Sequence, residues 1–435
     1  MKSYTLFKSS ALIFTLLVFA GGARAQEQDA PKFEIGIQYS SLSVNLPSFR
    51  GTENVAGFGA RATYNLTDYF ALEAEGNVYP TGTQRDYVTG GASQQAQFGA
   101  KVGKRWKSFG LFGKVRPGFV SFDSTLTPVR LESGGVSFIR FDRERKTHFA
   151  LDVGGVLEFY PSRRMLVRFD AGDTIIRFGE HAELQSSGAA QSGAVGPAPA
   201  ETTHSFQFTA GVGFRFGGGE DTGASMMQPS SRAHVRRFEA GIQFSSLLLS
   251  LSPERFGSTF FGPFDEGSQA EAGFGGRIGY NATDNLAFEA EGNFYPRKRF
   301  EFDNTTGGYP AQMQFGAKYG RRFERFGVFA KARPGFVTFS SVTTLTSTRT
   351  VTVGGQQFLV PTFDDRRRNY FSMDVGGVLE FYPTSRILTR FDLGDTIIRY
   401  GERDNATFIT TTTSPRIPAE TRHNLQFNAG IGLRF

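Results

Sequence analysis

The sequence predicts an all-β chain that crosses a membrane as antiparallel up-and-down β-barrels, arranged as two tandem eight-stranded barrels, with one sixteen-stranded barrel as the alternative. Three observations carry this reading. Period-two alternation recurs eight times in each half, the halves are copies of one another, and each strand sets an apolar face against a charged one. Composition agrees. Apolar residues are only 39% and no run beyond the N-terminus reaches the ~18 residues that a spanning helix needs. By contrast, 47 Phe, 14 Tyr and 53 Gly suit many short strands with aromatic faces. The chain has no Cys, which excludes disulfides, thiolate metal sites and Cys nucleophiles.

The first 25 residues, MKSYTLFKSSALIFTLLVFAGGARA, read as a cleavable signal peptide. Lys2 and Lys8 form a basic start, ALIFTLLVFA a short apolar core, and Ala23-Arg24-Ala25 a small-residue cleavage site. Removing Lys2, Lys8 and Arg24 lowers the formal charge from +7 to +4, so the basic balance gives no support to nucleic-acid binding.

Self-comparison exposes the duplication. FEIGIQYSSL at 33 is answered by FEAGIQFSSL at 238, FALEAEGNVYP at 70 by LAFEAEGNFYP at 286, LDVGGVLEFYP at 151 by MDVGGVLEFYP at 373, and FDAGDTIIRFGE at 169 by FDLGDTIIRYGE at 391. The expected organisation is barrel copy one over 26–216, a periplasmic linker over 217–237, and copy two over 238–435. The linker, GGGEDTGASMMQPSSRAHVRR, is flexible in composition.

In copy one the alternation places strands near 33–44, 56–65, 69–79, 95–106, 110–122, 148–160, 165–178 and 205–216. Long connections (45–55, 80–94, 123–147, 179–204) alternate with short turns at NLTDY, KSF and PSRR, the pattern of a barrel with one confined rim and one loop-bearing rim. An even strand number returns both ends of each copy to the short-turn side.

The two faces differ chemically. Phe58, Ala60, Ala62, Tyr64, Phe98, Ala100, Val102, Leu151, Val153, Phe159, Phe206, Phe208, Val212 and Phe214 form an apolar band expected to face lipid. The opposite face collects Glu34, Arg61, Glu73, Glu75, Lys101, Lys114, Arg116, Asp152, Glu158, Arg168, Asp170 and Arg215, six acids and six bases. Copy two repeats them as Glu239, Arg277, Glu289, Glu291, Lys318, Lys331, Arg333, Asp374, Glu380, Arg390, Asp392 and Arg434. A cation facing mid-membrane hydrocarbon costs roughly 2–4 kcal/mol, so these side chains are expected inside, paired in a narrow, plugged interior. A wider, sixteen-stranded barrel would instead use them as a pore lining.

The ending is written twice, as AGVGFRF at 210–216 and AGIGLRF at 429–435. On these strands, loops and endings each copy resembles the small eight-stranded outer-membrane β-barrel domains of the OmpA-transmembrane and OmpX type. The resemblance implies a bacterial outer-membrane location and recognition of the terminal strands, with Phe216 and Phe435 as their last aromatics, by the barrel assembly machinery. It also implies outer-membrane lipids as neighbours. Family members often continue into a peptidoglycan-binding domain, and no such segment follows Phe435.

Smaller features complete the reading. GDTIIR at 172 and 394 would place Asp173 and Asp395 toward lipid, so a bulge at Gly172 and Gly394 is expected to turn each Asp inward or onto Arg177 or Arg399. FDRERKTHF at 141 and FDDRRRNYF at 363 read as a charged rim with lipopolysaccharide phosphates as a candidate partner. His204 and His423 recur, but Ser205 beside the first becomes Asn424 beside the second, so no hydrolytic pair repeats. No catalytic, cofactor-binding or metal-ligating residue is assigned. The expected function is non-enzymatic, with loops for envelope structure, adhesion or an unknown surface ligand. A porin-like channel is the alternative and a rim-located lipid or peptide hydrolase the lesser one. Trp106 reads as part of an interfacial aromatic girdle.

Overall fold

The computed structural model describes residues 31–47, 51–83, 85–133, 136–185, 194–217, 236–250, 268–298, 305–353, 356–404 and 416–435. The signal-peptide reading of residues 1–25, most of the 217–237 linker and the first long loop of copy two lie outside the described residues. Copy one supplies β1 (Phe33–Asn45), β2 (Thr52–Asn65), β3 (Phe70–Thr83), β4 (Gly91–Arg105), β5 (Phe109–Ser133), β6 (Val136–Phe159), β7 (Met165–Phe178), the small hairpin β8 (His181–Gln185) and β9 (Ala194–Ala198), and β10 (Glu201–Phe216). Copy two supplies β11 (Phe238–Ser250), β12 (Ser268–Asn281), β13 (Leu286–Phe294), β14 (Pro310–Arg322), β15 (Phe326–Val353), β16 (Gln356–Phe381), β17 (Ile387–Tyr400), the two-residue β18 (Arg403–Asp404) and β19 (Arg416–Ile417), and β20 (Glu420–Arg434).

Pairing closes the sheet twice. Ile37 of β1 lies opposite Ala60 of β2 on one side and Val212 of β10 on the other. Ile242 of β11 likewise lies between Gly276 of β12 and Ile431 of β20. Each ring therefore has eight antiparallel strands, and its first strand hydrogen-bonds its last. A single sixteen-stranded ring requires β10 to pair with β11, whereas β10 pairs with β1 and β7. Among the described residues, the ladder contact between the rings is Asn54 of β2 opposite Ala270 of β12.

Two expectations need correction. The 123–147 connection is not an irregular loop: β5 and β6 stay paired up to Ser133 opposite Val136, and β15 and β16 up to Val353 opposite Gln356. Alternation simply continues past the ring in TLTPVRLES and VSFIRFDRE, and a register shift between Phe122 and Thr125 marks where the ribbon leaves it. Nor is there a bulge at Gly172 or Gly394. Gly154 opposes Gly172 and Val153 opposes Asp173 in unbroken register, as Gly376 opposes Gly394 and Val375 opposes Asp395. Both Asp side chains therefore keep the outward phase.

The rings are narrow enough for glycine to be required inside. A Cβ on Gly59 would stand 2.0 Å from the Asn77 side chain, and one on Gly275 would stand 1.9 Å from Asn293. With that little space the described interior at these positions is filled by side chains.

Candidate functional site

The inward face of copy one is built from the short-turn end upward. At the bottom, Glu34 lies 3.3 Å from Arg215, 3.8 Å from Arg105 and 3.4 Å from Lys101, and its carboxylate accepts a hydrogen bond from Asn65. Lys101 also meets Glu158 closely and Glu73 at 3.3 Å, while the Tyr160 hydroxyl donates to Glu158 and its ring lies under the Arg215 guanidinium. In the middle, Arg168 clamps Glu73 and Asp170. Arg116 bridges Glu75 at 2.5 Å and Asp152 at 2.6 Å, and Lys114 reaches Asp152 at 2.8 Å and Asp170 at 3.5 Å. Arg61 is buried and donates to Gln38. Arg116 and Arg168, among the longest side chains in the protein, are essentially inaccessible to solvent.

Copy two repeats this lattice. Lys318 meets Glu239 at 3.3 Å, Glu289 at 3.1 Å and Glu380 more closely. Lys331 lies 2.8 Å from Asp374 and 3.5 Å from Asp392, Arg333 bridges Glu291 at 2.5 Å and Asp374 at 2.6 Å, and Arg390 clamps Glu289 and Asp392. Arg277 is buried beside them, and the Arg434 guanidinium covers the Tyr382 ring. The pairing offsets a desolvation penalty of several kcal/mol per ion. Its structural consequence is a cross-braced lumen.

Above the charges the lumen turns neutral, then apolar. Gln38 donates to Asn77, Asn77 to Gln95, and Gln95 and Gln207 bond across the ring with Tyr79, Ser40 and Thr174. At the loop end Leu42, Val44, Val55, Val120, Phe122, Ile176 and Phe178 fill the mouth, joined by Val88 from the β3–β4 connection. That connection is pinned inward: Lys146 Nζ donates to the Tyr87 carbonyl, and a His148 ring nitrogen lies 2.9 Å from the Val88 carbonyl. Leu247, Leu249, Tyr295, Val337, Phe339, Val342, Ile398 and Tyr400 make the matching cap in copy two.

Sequence reasoning missed this cap, along with Arg105, Arg322 and the glutamine layer. The signal was present, because Val120 and Phe122 continue the phase of Lys114 and Arg116, and Ile176 and Phe178 that of Arg168 and Asp170.

The outward face at the same height carries a second constellation. His204 Nδ1 bonds the Asp173 carboxylate, whose other oxygen accepts the Ser205 backbone N–H at 3.1 Å. His423 and Asp395 repeat the arrangement, with the Asn424 N–H at 3.0 Å. One rung further out Arg177 donates to Thr202, and Arg399 to Thr421. Ser205 points inward and is fully buried, so it cannot act with His204 on the outer face. Phe216 and Phe435, at the short-turn ends of β10 and β20, are exposed, as is Trp106 stacked on Phe109. Among the described residues no group of three or more potential ligands could hold a metal ion.

Residues 12–216 match the family model of the outer membrane protein beta-barrel domain. Solved structures similar to the chain include Neisserial surface protein A, at 14% identity and a TM-score of 0.27 over 44% of this chain and 100% of that one. They also include Ail, the attachment invasion locus protein of Yersinia pestis, at 16% identity and 0.24 over 44% and 100%. A FadL homologue from Pseudomonas aeruginosa matches at 10% identity and 0.26 over 93% and 90%. No curated protein matches the sequence.

Proposed function

We propose that the chain, whose residues 12–216 match the outer membrane protein beta-barrel domain, is a non-enzymatic integral protein of the bacterial outer membrane: two plugged barrels that hold surface segments for envelope structure, adhesion or ligand binding. The observation that carries this is the double closure of each lumen, by a charge lattice below and an apolar cap above. An electrolyte path through the ring would have to break buried ion pairs and hydrate a side-chain-filled mouth. A rigid barrel with long external ribbons is instead a platform, and binding tends to reside on such projections.

In this reading residues 1–25 direct export and are removed, the barrels span residues 26–216 and 238–435, and the 217–237 linker lies on the periplasmic side with the short turns. Phe216 and Phe435 present the terminal strands to the barrel assembly machinery. The outward Arg177, His204, Arg399 and His423 stand just above the lipid-facing aromatics, where charge-assisted hydrogen bonds to lipid or lipopolysaccharide phosphates are available.

The test is a chain in which Asn-Gly turns replace the ribbon tips between Leu126 and Arg143 and between Thr344 and Asp364. Vesicles carrying either the full or the trimmed chain should stay tight to small sugars, while surface attachment by cells should be lost only with the trimmed one. Sugar-driven swelling with the full chain, or unchanged attachment after trimming, would overturn the reading.

A further inference from the structure

Phe159, Val167, Phe169 and Ala210 point outward from the first ring, as Phe58, Phe98 and Phe149 do, yet they are buried while the latter three are more than half exposed. What covers them is the second barrel: these residues share one apolar cluster with Phe381, Phe391, Phe427 and Ala429. The expectation that Phe159 and Phe208 face lipid is therefore corrected, since a neighbouring barrel takes lipid's place.

The contacts have an internal symmetry. By the sequence match of the copies, Tyr39 corresponds to Phe244, Phe208 to Phe427, Phe169 to Phe391 and Asn54 to Ala270. Tyr39 stacks on Phe427 with ring centroids 4.0 Å apart, and Phe244 stacks on Phe208 at 4.1 Å. Phe169 stacks on its own counterpart Phe391, nearly parallel at 7° and 5.8 Å apart, and Asn54 pairs with its own counterpart Ala270. A residue meeting its counterpart, and an unlike pair occurring in both directions, is the signature of a two-fold, self-complementary interface.

The stripe runs from the short-turn end of β6 through β7, β10 and β1 to the loop end of β2, as strand tilt in a small barrel requires of a line along the barrel axis. Ala210 and Ala429 are the small residues at its centre. In lipid the drive to associate is close packing, so small residues between stacked rings are what a specific contact needs.

We propose that this aromatic stripe is a docking face whose partner is another barrel of the same kind, and that the chain is a covalently joined two-fold pair. Each copy occupies the other's face, which leaves the chain with no such face for a second chain.

The absence of natural Cys makes the test direct. Full-length chains carrying Phe208→Cys with Phe244→Cys, or Tyr39→Cys with Phe427→Cys, are oxidised in native outer membranes, and a protease site placed in the linker is then cut. Both pairs should hold the two halves together on denaturing gels until reduction, because the native rings at each pair stand 4.0 and 4.1 Å apart between centroids. The control pair Phe98→Cys with Phe315→Cys, on lipid-exposed faces, should release them, and Phe208→Cys alone should give no interchain band. Release by both interface pairs, joining by only one of them, or an interchain band from the single variant would each overturn the proposal. Heat-dependent gel mobility shows which variants have folded. If the cysteine variants fail to fold, the cut but otherwise native chain still decides the matter: its halves must co-purify in mild detergent, and separation refutes the pairing.

Discussion

The charge lattices of the two barrels agree closely in geometry where their loop ends have parted. Lys114 to Asp152 and Lys331 to Asp374 are both 2.8 Å, and Arg116 to Asp152 and Arg333 to Asp374 both 2.6 Å. At the loop end, however, copy one follows β7 with a hairpin of two five-residue strands, and copy two with strands of two residues. The difference teaches where the fold is constrained. In the lattice a change strands a buried charge, and at Gly59 or Gly275 it meets a neighbouring side chain; at the loop ends water accepts almost any side chain.

That comparison can be broken most forcefully at the lattice. Asp152→Ala leaves Lys114 and Arg116 without their shared carboxylate, and Asp374→Ala does the same to Lys331 and Arg333. Each should cost about 3–5 kcal/mol. Urea titrations of gel mobility, with Trp106 fluorescence reporting the first barrel alone, should give matching losses in the two copies. A loss confined to one copy would show that equal geometry conceals unequal stability.

A smaller effect is expected from glycine. Gly59→Val and Gly275→Val drive a Cβ into Asn77 and Asn293 respectively, and overpacking of this kind costs about 1–3 kcal/mol. The same titrations check it, and a neutral result would mean that the interior has room the geometry does not show.

The smallest effect sharpens the comparison, because it should appear in copy two only. Glu420, beyond the membrane-crossing part of β20, accepts from Arg403 at 2.8 Å and from Arg422 at closer range, whereas Thr203 holds the place of Arg422 in copy one. Burial raises the Glu420 carboxyl, and the hydrogen bonds and charges of Arg422 and Arg403 outweigh it, leaving the group below its ordinary 4.5. A carboxyl depressed in the fold contributes stability above its unfolded value and loses it as pH falls through the folded value. For so exposed a pair the contribution is about 1 kcal/mol or less. Proteolysis at this rim should therefore stay constant on mild acidification and rise only below the ordinary carboxylate range. A rise already near neutral pH would contradict the clasp.

Strands and faces were legible in the sequence because a period of two fixes which side of a sheet each residue occupies. Height along the barrel was not. Lys114 and Phe122 share a phase, and only cross-strand register reveals that one lies in the charge lattice and the other in the cap. The outward Asp173 was read as needing a bulge, because its partner His204 is 31 residues away in sequence and meets it only through the β7–β10 ladder. Phe159 and Phe208 were read as facing lipid because lipid and a second barrel demand the same apolar surface. The long ribbons are hidden for a different reason: 123–147 reads as a connection with a charged rim, although charged residues alternate with apolar ones on a solvated strand.

Single-channel recording of the refolded mature chain in a planar bilayer tests the central claim, that two lumens are closed by ion pairs and capped by apolar side chains. The account predicts electrical silence or brief irregular flickers. Large, stable, porin-like steps would contradict it and return the inward charges to the role of a pore lining.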